Sequence, residues 1–126
     1  MIRQELTFAT TPQTVFNALM QSAEHSAFTG APAVIDAQAG GAWTAFGGAI
    51  SGRTIELVPN QRIVQAWRPG NWPEGKYSMV HFELHAHPEG TRIVLEHTGY
   101  PDGQGEHLDA GWHDRYWTPL AAWLAS

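Results

Sequence analysis

The sequence predicts an α+β fold: a curved, seven-stranded antiparallel sheet around a long C-terminal helix, with two short helices after strand 1. Three observations predict it. A loosely alternating N-terminal segment leads into a capped helical stripe. Between residues 33 and 99, apolar segments alternate with glycine- and proline-rich breaks at the spacing of antiparallel strands. From about residue 105 the apolar period becomes helical. An antiparallel sheet with helices packed on one face is a stable two-layer arrangement.

Residues 2–9 alternate at Ile2, Gln4, Leu6 and Phe8, as a first strand does. Thr11 is then placed to cap a helix whose first position is Pro12. Val15, Phe16, Leu19 and Met20 form its apolar stripe. Residues 24–29 read as a second short helix, closed by Gly30 and Pro32. Six strands follow in VIDA, AWTAF, ISGRTIELV, RIVQAWR, YSMVHFELHA and TRIVLEHTG. In the C-terminal helix Leu108, Trp112, Tyr116 and Leu120 recur every four residues, followed by Trp123 and Leu124. Pro119 lies inside this run and must kink or restart the helix, because its ring meets the carbonyl of Arg115.

The 126 residues suit one domain, 1–126. Apolar residues make up 43% and charged residues 15%, a globular balance. Net charge is −5, and no basic stripe marks a nucleic-acid or anionic-lipid partner. The absence of cysteine excludes disulfides and thiol chemistry. No apolar run approaches the roughly 20 residues of a membrane span, so membrane insertion is not expected. MIRQELTFAT has no apolar signal core, and a cytoplasmic location is the expectation.

If His87 pairs with Gly90, the last hairpin places Val80 opposite His97, Phe82 opposite Leu95 and Leu84 opposite Ile93 on one face. The same alternation sends Ile63, Gln65 and Trp67 inward, and Ile55 and Leu57 before them. One helix covers only part of so wide a sheet, so a hollow is expected beside it. Its lining is expected to be Trp43, Ile55, Gln65, Trp67, Ser78, Val80, Phe82, Leu95, His97, Trp112 and Tyr116. Aromatic walls with a few convergent polar groups are the usual form of a small-molecule site. Gln65, Ser78, His97 and the Tyr116 hydroxyl are those polar groups.

Other clusters read as surface. His81, Glu83, His85 and His87 share the outer face, but same-face neighbours stand roughly 7 Å apart along a strand and the face is open. Glu106, His107, Asp109, His113, Asp114 and Arg115 read as the exposed side of the helix. Neither the GGAW nor the FGGAISG glycines have the strand–loop–helix context of a nucleotide loop, and they read as bulges or tight turns. Trp72, between Pro69 and Pro73, reads as an aromatic on a stiff, exposed loop. The loop is a sheet-edge cap, a cavity lip or a partner contact. No catalytic residue, metal site or cofactor is assigned.

FTGAPAVID (28–36), GGAW (40–43), FGGAISGRTIELVPNQRIVQAWR (46–68), NWPEGKYS (71–78), GTRIVLEHTGYP (90–101) and the late Gly111-Trp112 pair occur in an order similar to that of a known family. The chain resembles the C-terminal domain of the activators of heat-shock protein 90 ATPase and their bacterial single-domain relatives. These belong to the helix-grip (START-like, SRPBCC) superfamily of lipid-transfer domains and polyketide cyclases. The two-domain eukaryotic members carry a separate N-terminal domain that supplies much of the chaperone contact, for which these 126 residues have no room.

Three functional readings follow. The first is a non-enzymatic binding module whose cavity takes a small apolar or amphipathic ligand. The second, implied by the resemblance, is a co-chaperone-like domain that contacts a heat-shock chaperone. The third is a cyclase- or hydratase-like enzyme using His97 or Tyr116 with Gln65. A monomer is expected, or a homodimer paired through the edge strand near 33–46.

Overall fold

The computed structural model describes residues 1–126 and has the expected α+β order. Strand β1 (Ile2–Phe8) is followed by helices α1 (Pro12–Met20) and α2 (Ser22–Thr29). Strands β2 (Val34–Ile35), β3 (Ala42–Ala45), β4 (Ile50–Val58), β5 (Arg62–Pro69), β6 (Ser78–His87) and β7 (Gly90–Thr98) come next. The chain ends in α3 (Gly105–Trp112), a wider turn at His113–Trp117, and α4 (Thr118–Ala125). All seven strands form one curved antiparallel sheet in the order β1-β7-β6-β5-β4-β3-β2, and the helices pack on its inner face. This is the helix-grip arrangement.

Thr11 caps α1 as its side chain predicts. Its backbone is extended, and its hydroxyl accepts the Thr14 N–H at 3.2 Å. Such a cap contributes about 0.5–2 kcal/mol. The stripe of α1 is buried at Val15, Phe16, Leu19 and Met20, with Ala18 added. Gly30 closes α2 in the left-handed conformation (φ 75°), which glycine adopts without a Cβ clash.

The hairpin register is the expected one: His87 pairs with Gly90, Val80 with His97, Phe82 with Leu95 and Leu84 with Ile93. Strand β2 is shorter than VIDA suggests and keeps two residues. Ile55 faces outward, not into the expected lining. A bulge between Thr54 and Glu56 shifts the β4–β5 register, so Thr54 pairs with Gln65 and Glu56 with Val64. One extra residue reverses the alternation. Thr54 is therefore fully buried, whereas Ile55 is 54% exposed.

Gly52 is also not a turn. It lies mid-strand, opposite Trp43 on one side and Trp67 on the other. A Cβ there would collide with the Ala66 carbonyl and the Trp43 ring. Its bareness lets the Trp43 and Trp67 rings approach to 5.8 Å between centroids.

The C-terminal helix widens where Pro119 demands it. Pro119 has no N–H to donate back along the helix, and the preceding turn relaxes so that the Thr118 N–H reaches the His113 carbonyl, five residues back. The extra residue turns Trp117 inward beside Tyr116, and both are buried. A strict four-residue repeat does not anticipate Trp117. On β1, Gln4 anchors this helix to the sheet. Its amide oxygen accepts the Trp117 indole N–H at 2.7 Å, and its amide nitrogen donates to the Asp109 carbonyl and carboxylate at 3.0 and 2.9 Å.

Candidate functional site

Strand β7 carries His97 into the interior, where it is fully buried. The Trp112 indole N–H can only donate, and it donates to His97 Nδ1 at 3.1 Å. The ring proton therefore sits on Nε2, which donates to Ser78 Oγ at 2.8 Å. The Ser78 hydroxyl passes its own hydrogen to the Trp67 carbonyl at 3.2 Å. Protonating Nδ1 would set two N–H groups against each other. Burial pushes the His97 imidazole down to about 4. Both nitrogens are engaged, and His97 has no exposure to solvent. On this geometry His97 has no free ring nitrogen with which to exchange a proton with a ligand.

The aromatic rings around this chain fill the middle of the sheet. Trp112 stacks between Trp67 and Trp117, with centroids at 5.1 and 5.8 Å. Phe82 meets Trp112 edge-on at 5.6 Å. Aromatic pairs of this kind contribute about 0.5–1.5 kcal/mol beyond their burial. Only a void of about 10 Å³ remains beneath Trp43, Gln65 and Phe82, also bounded by Leu19, His25, Ile35 and Tyr116.

The larger space lies elsewhere. A concavity of about 350 Å³ opens between α3, the adjoining ends of β4 and β5, and the 69–72 loop. Trp67, Trp72, Trp112 and Tyr116 supply aromatic walls, with Phe46, Ile50 and Leu108 beside them. Its polar lining consists of Asn71, Gln104, His107 and Arg115, with no carboxylate. Residues 104, 107, 108, 111, 112 and 115 follow helical spacing along one face. Gly111 deepens the space, because a Cβ at that position would meet nothing within 4 Å.

The expected lining is thus distributed over four settings. Trp67, Trp112 and Tyr116 line the concavity. Trp43, Gln65 and Phe82 bound the small void. Ser78, Val80, Leu95 and His97 are buried in the packed core, and Ile55 faces outward. Gln65 has only a weak contact, from its amide nitrogen to Met20 Sδ at 3.8 Å. Trp72 is buried rather than exposed on its loop. Arg68 pins that loop by donating to the Trp72 carbonyl at 2.7 Å and the Pro73 carbonyl at 3.4 Å. His107 and Arg115 are exposed on the helix, as the sequence predicts, and they also border the concavity. Their shared face with Gly111 was the available signal that they border a space.

His25 is a further interior group that the sequence did not mark. It is buried against Phe28, Phe46 and Tyr116. Its Nε2 lies 3.2 Å from the Tyr116 hydroxyl, and its Nδ1 has no protein partner. Burial pushes the His25 imidazole down to about 4 and the Tyr116 phenol up. Tyr116 forms the wall between the concavity and the small void, since it borders both. On the outer face Glu83 lies between Arg62 and His85, at 3.8 and 3.5 Å, as an ordinary solvated network.

Residues 9–125 match the family model described as Activator of Hsp90 ATPase homolog 1-like protein. The chain is 31% identical over 117 residues to the mouse activator of 90 kDa heat shock protein ATPase homolog 2, and 32% identical over 110 residues to the human homolog 1. These matches take in 93% and 87% of the chain but 35% and 32% of those relatives, so the chain spans about a third of their length. Among solved structures, an HSP90 activator from Plasmodium falciparum superposes with a TM-score of 0.90 at 25% identity, covering 99% of this chain and 97% of that one.

Proposed function

Because the chain belongs to the Activator of Hsp90 ATPase homolog 1-like family, we propose that it is a non-enzymatic binding module of that family, which holds a small apolar or amphipathic molecule in the concavity against α3. The supporting observation is the lining: three tryptophans and a tyrosine border about 350 Å³ with no carboxylate among them. That volume falls at the lower end of small-molecule sites, about 300–1,000 Å³. Of the two buried histidines, His97 is sealed inside the sheet, and His25 lies behind the lining, against the Phe46 and Tyr116 rings, with its one side-chain hydrogen bond to the Tyr116 hydroxyl. A single domain acting in the cytoplasm, as monomer or homodimer, belongs to the same proposal. Native mass spectrometry and thermal shift with aromatic and acyl compounds test it. Retention of at least one class with a raised melting temperature is expected, and no retention of any class counts against it.

A second reading is favoured by the names of the relatives, which are activators of the 90 kDa heat shock protein ATPase. In this reading the domain contacts a heat-shock chaperone of its host. A pull-down combined with an ATPase assay decides it. Capture of the chaperone with a changed hydrolysis rate is expected, whereas no capture and an unchanged rate removes the reading.

A further inference from the structure

The arginines of this chain are nearly all engaged. Arg3 and Arg92 both pair with Glu5, and Arg62 pairs with Glu56 and Glu83. Arg53 and Arg68 donate to backbone carbonyls. Arg115 makes neither an ion pair nor a hydrogen bond, in a protein with twelve carboxylate side chains and a net charge of −5. It borders the apolar concavity, where no acidic residue faces it.

We infer that the occupant of the concavity is an amphipathic monocarboxylic acid, with its apolar body on Trp67, Trp72 and Trp112 and its carboxylate on the guanidinium of Arg115. The inference rests on the proposal that the concavity is a binding site, and it adds the chemical class. Arg115 is kept at the rim by Phe46, whose ring centre lies 5.9 Å from the guanidinium carbon. A cation over an aromatic face is held there without its donors being used. The planar fork then stays free for the two oxygens of a carboxylate. Phe46 takes a positive φ of 53°, a conformation that non-glycine residues adopt at a cost. That backbone presents its ring both to the cavity and, edge-on, to Tyr116 at 5.7 Å. Gln104 and Asn71 add side-chain amide N–H donors to the same lining. A cationic ligand would find a guanidinium and no counter-charge. One guanidinium matches one negative charge, and the volume admits one small molecule.

The test uses the full chain and three probes of one shape: 2-naphthylacetate, its neutral amide and 2-naphthylethylamine. Binding is read by calorimetry at neutral pH and low salt. The acid is expected to bind about tenfold more tightly than the amide, as a charge-assisted hydrogen bond provides, with the amine weakest. Arg115→Gln, at an exposed position, should bring the acid down to the amide and leave the amide unchanged. If acid and amide bind equally, or if Arg115→Gln keeps the acid preference, the carboxylate inference is overturned while the cavity reading stands. If none of the three binds, the cavity reading fails and this inference fails with it.

Discussion

Trp112 on α3 and His97 on β7 are joined by an indole N–H donated to Nδ1 at 3.1 Å, and that single bond sets the tautomer of a fully buried imidazole. It ties the helix to the centre of the sheet. It also turns the residue best suited to proton transfer into a structural one.

Ser78→Ala removes the acceptor for His97 Nε2 and strands a buried N–H. We expect a loss of about 1–3 kcal/mol, the cost of an unsatisfied buried polar group. Urea unfolding of the variant reads it directly, and a change within error would mean that the ring is satisfied by another route.

Stability should fall on mild acidification. Burial holds His25 and His97 at about 4, below their ordinary value of 6.5. Between those values the unfolded chain takes up a proton on each ring that the folded chain refuses. The stabilising difference is therefore present above pH 6.5 and is lost as the pH falls toward about 4. The loss is on the order of 3 kcal/mol per histidine by linkage. Unfolding free energies measured across this window should decline, and His97→Asn should flatten part of the decline.

Gln4→Leu replaces the amide that holds both Trp117 and Asp109. The indole N–H loses its partner in the interior. We expect about 1–3 kcal/mol of destabilisation, with faster amide exchange in the 105–117 segment than elsewhere.

Two glycines should respond in opposite directions. Gly52→Ala forces a Cβ into the Ala66 carbonyl and the Trp43 ring, and overpacking of this kind costs about 1–3 kcal/mol. Gly111→Ala places a methyl in open space inside a helix and should stabilise by about 0.5–1 kcal/mol. Melting temperatures of the two variants should shift in opposite senses.

Most of the fold was legible in the sequence because its signals are local. The Thr11 cap, the strand alternation and the tight turn from His87 to Gly90 each depend on a few neighbouring residues. The inner face of β6 and β7 followed from that one turn. Ile55 was misplaced because a bulge shifts alternation by one, and nothing in ISGRTIELV marks which residue is extra. Trp117 was missed because the wide turn before Pro119 breaks the four-residue repeat. The location of the open space was hardest to read. Whether rings fill a space depends on how Trp67, Trp112 and Phe82 stack across three elements, and no local pattern encodes that. The rings close the middle of the sheet, and the open space lies at its end, beneath Trp72 and Gly111.

Whether this space binds a ligand is measured most directly at Gly111. The wild-type chain and Gly111→Phe are titrated with neutral 2-naphthylacetamide while tryptophan fluorescence is followed. A saturable change is expected in the wild type, because Trp67, Trp72 and Trp112 line the space. Gly111→Phe should retain the fold and lose the response. A wild type that shows no saturable response, or a variant that responds equally, would contradict the claim.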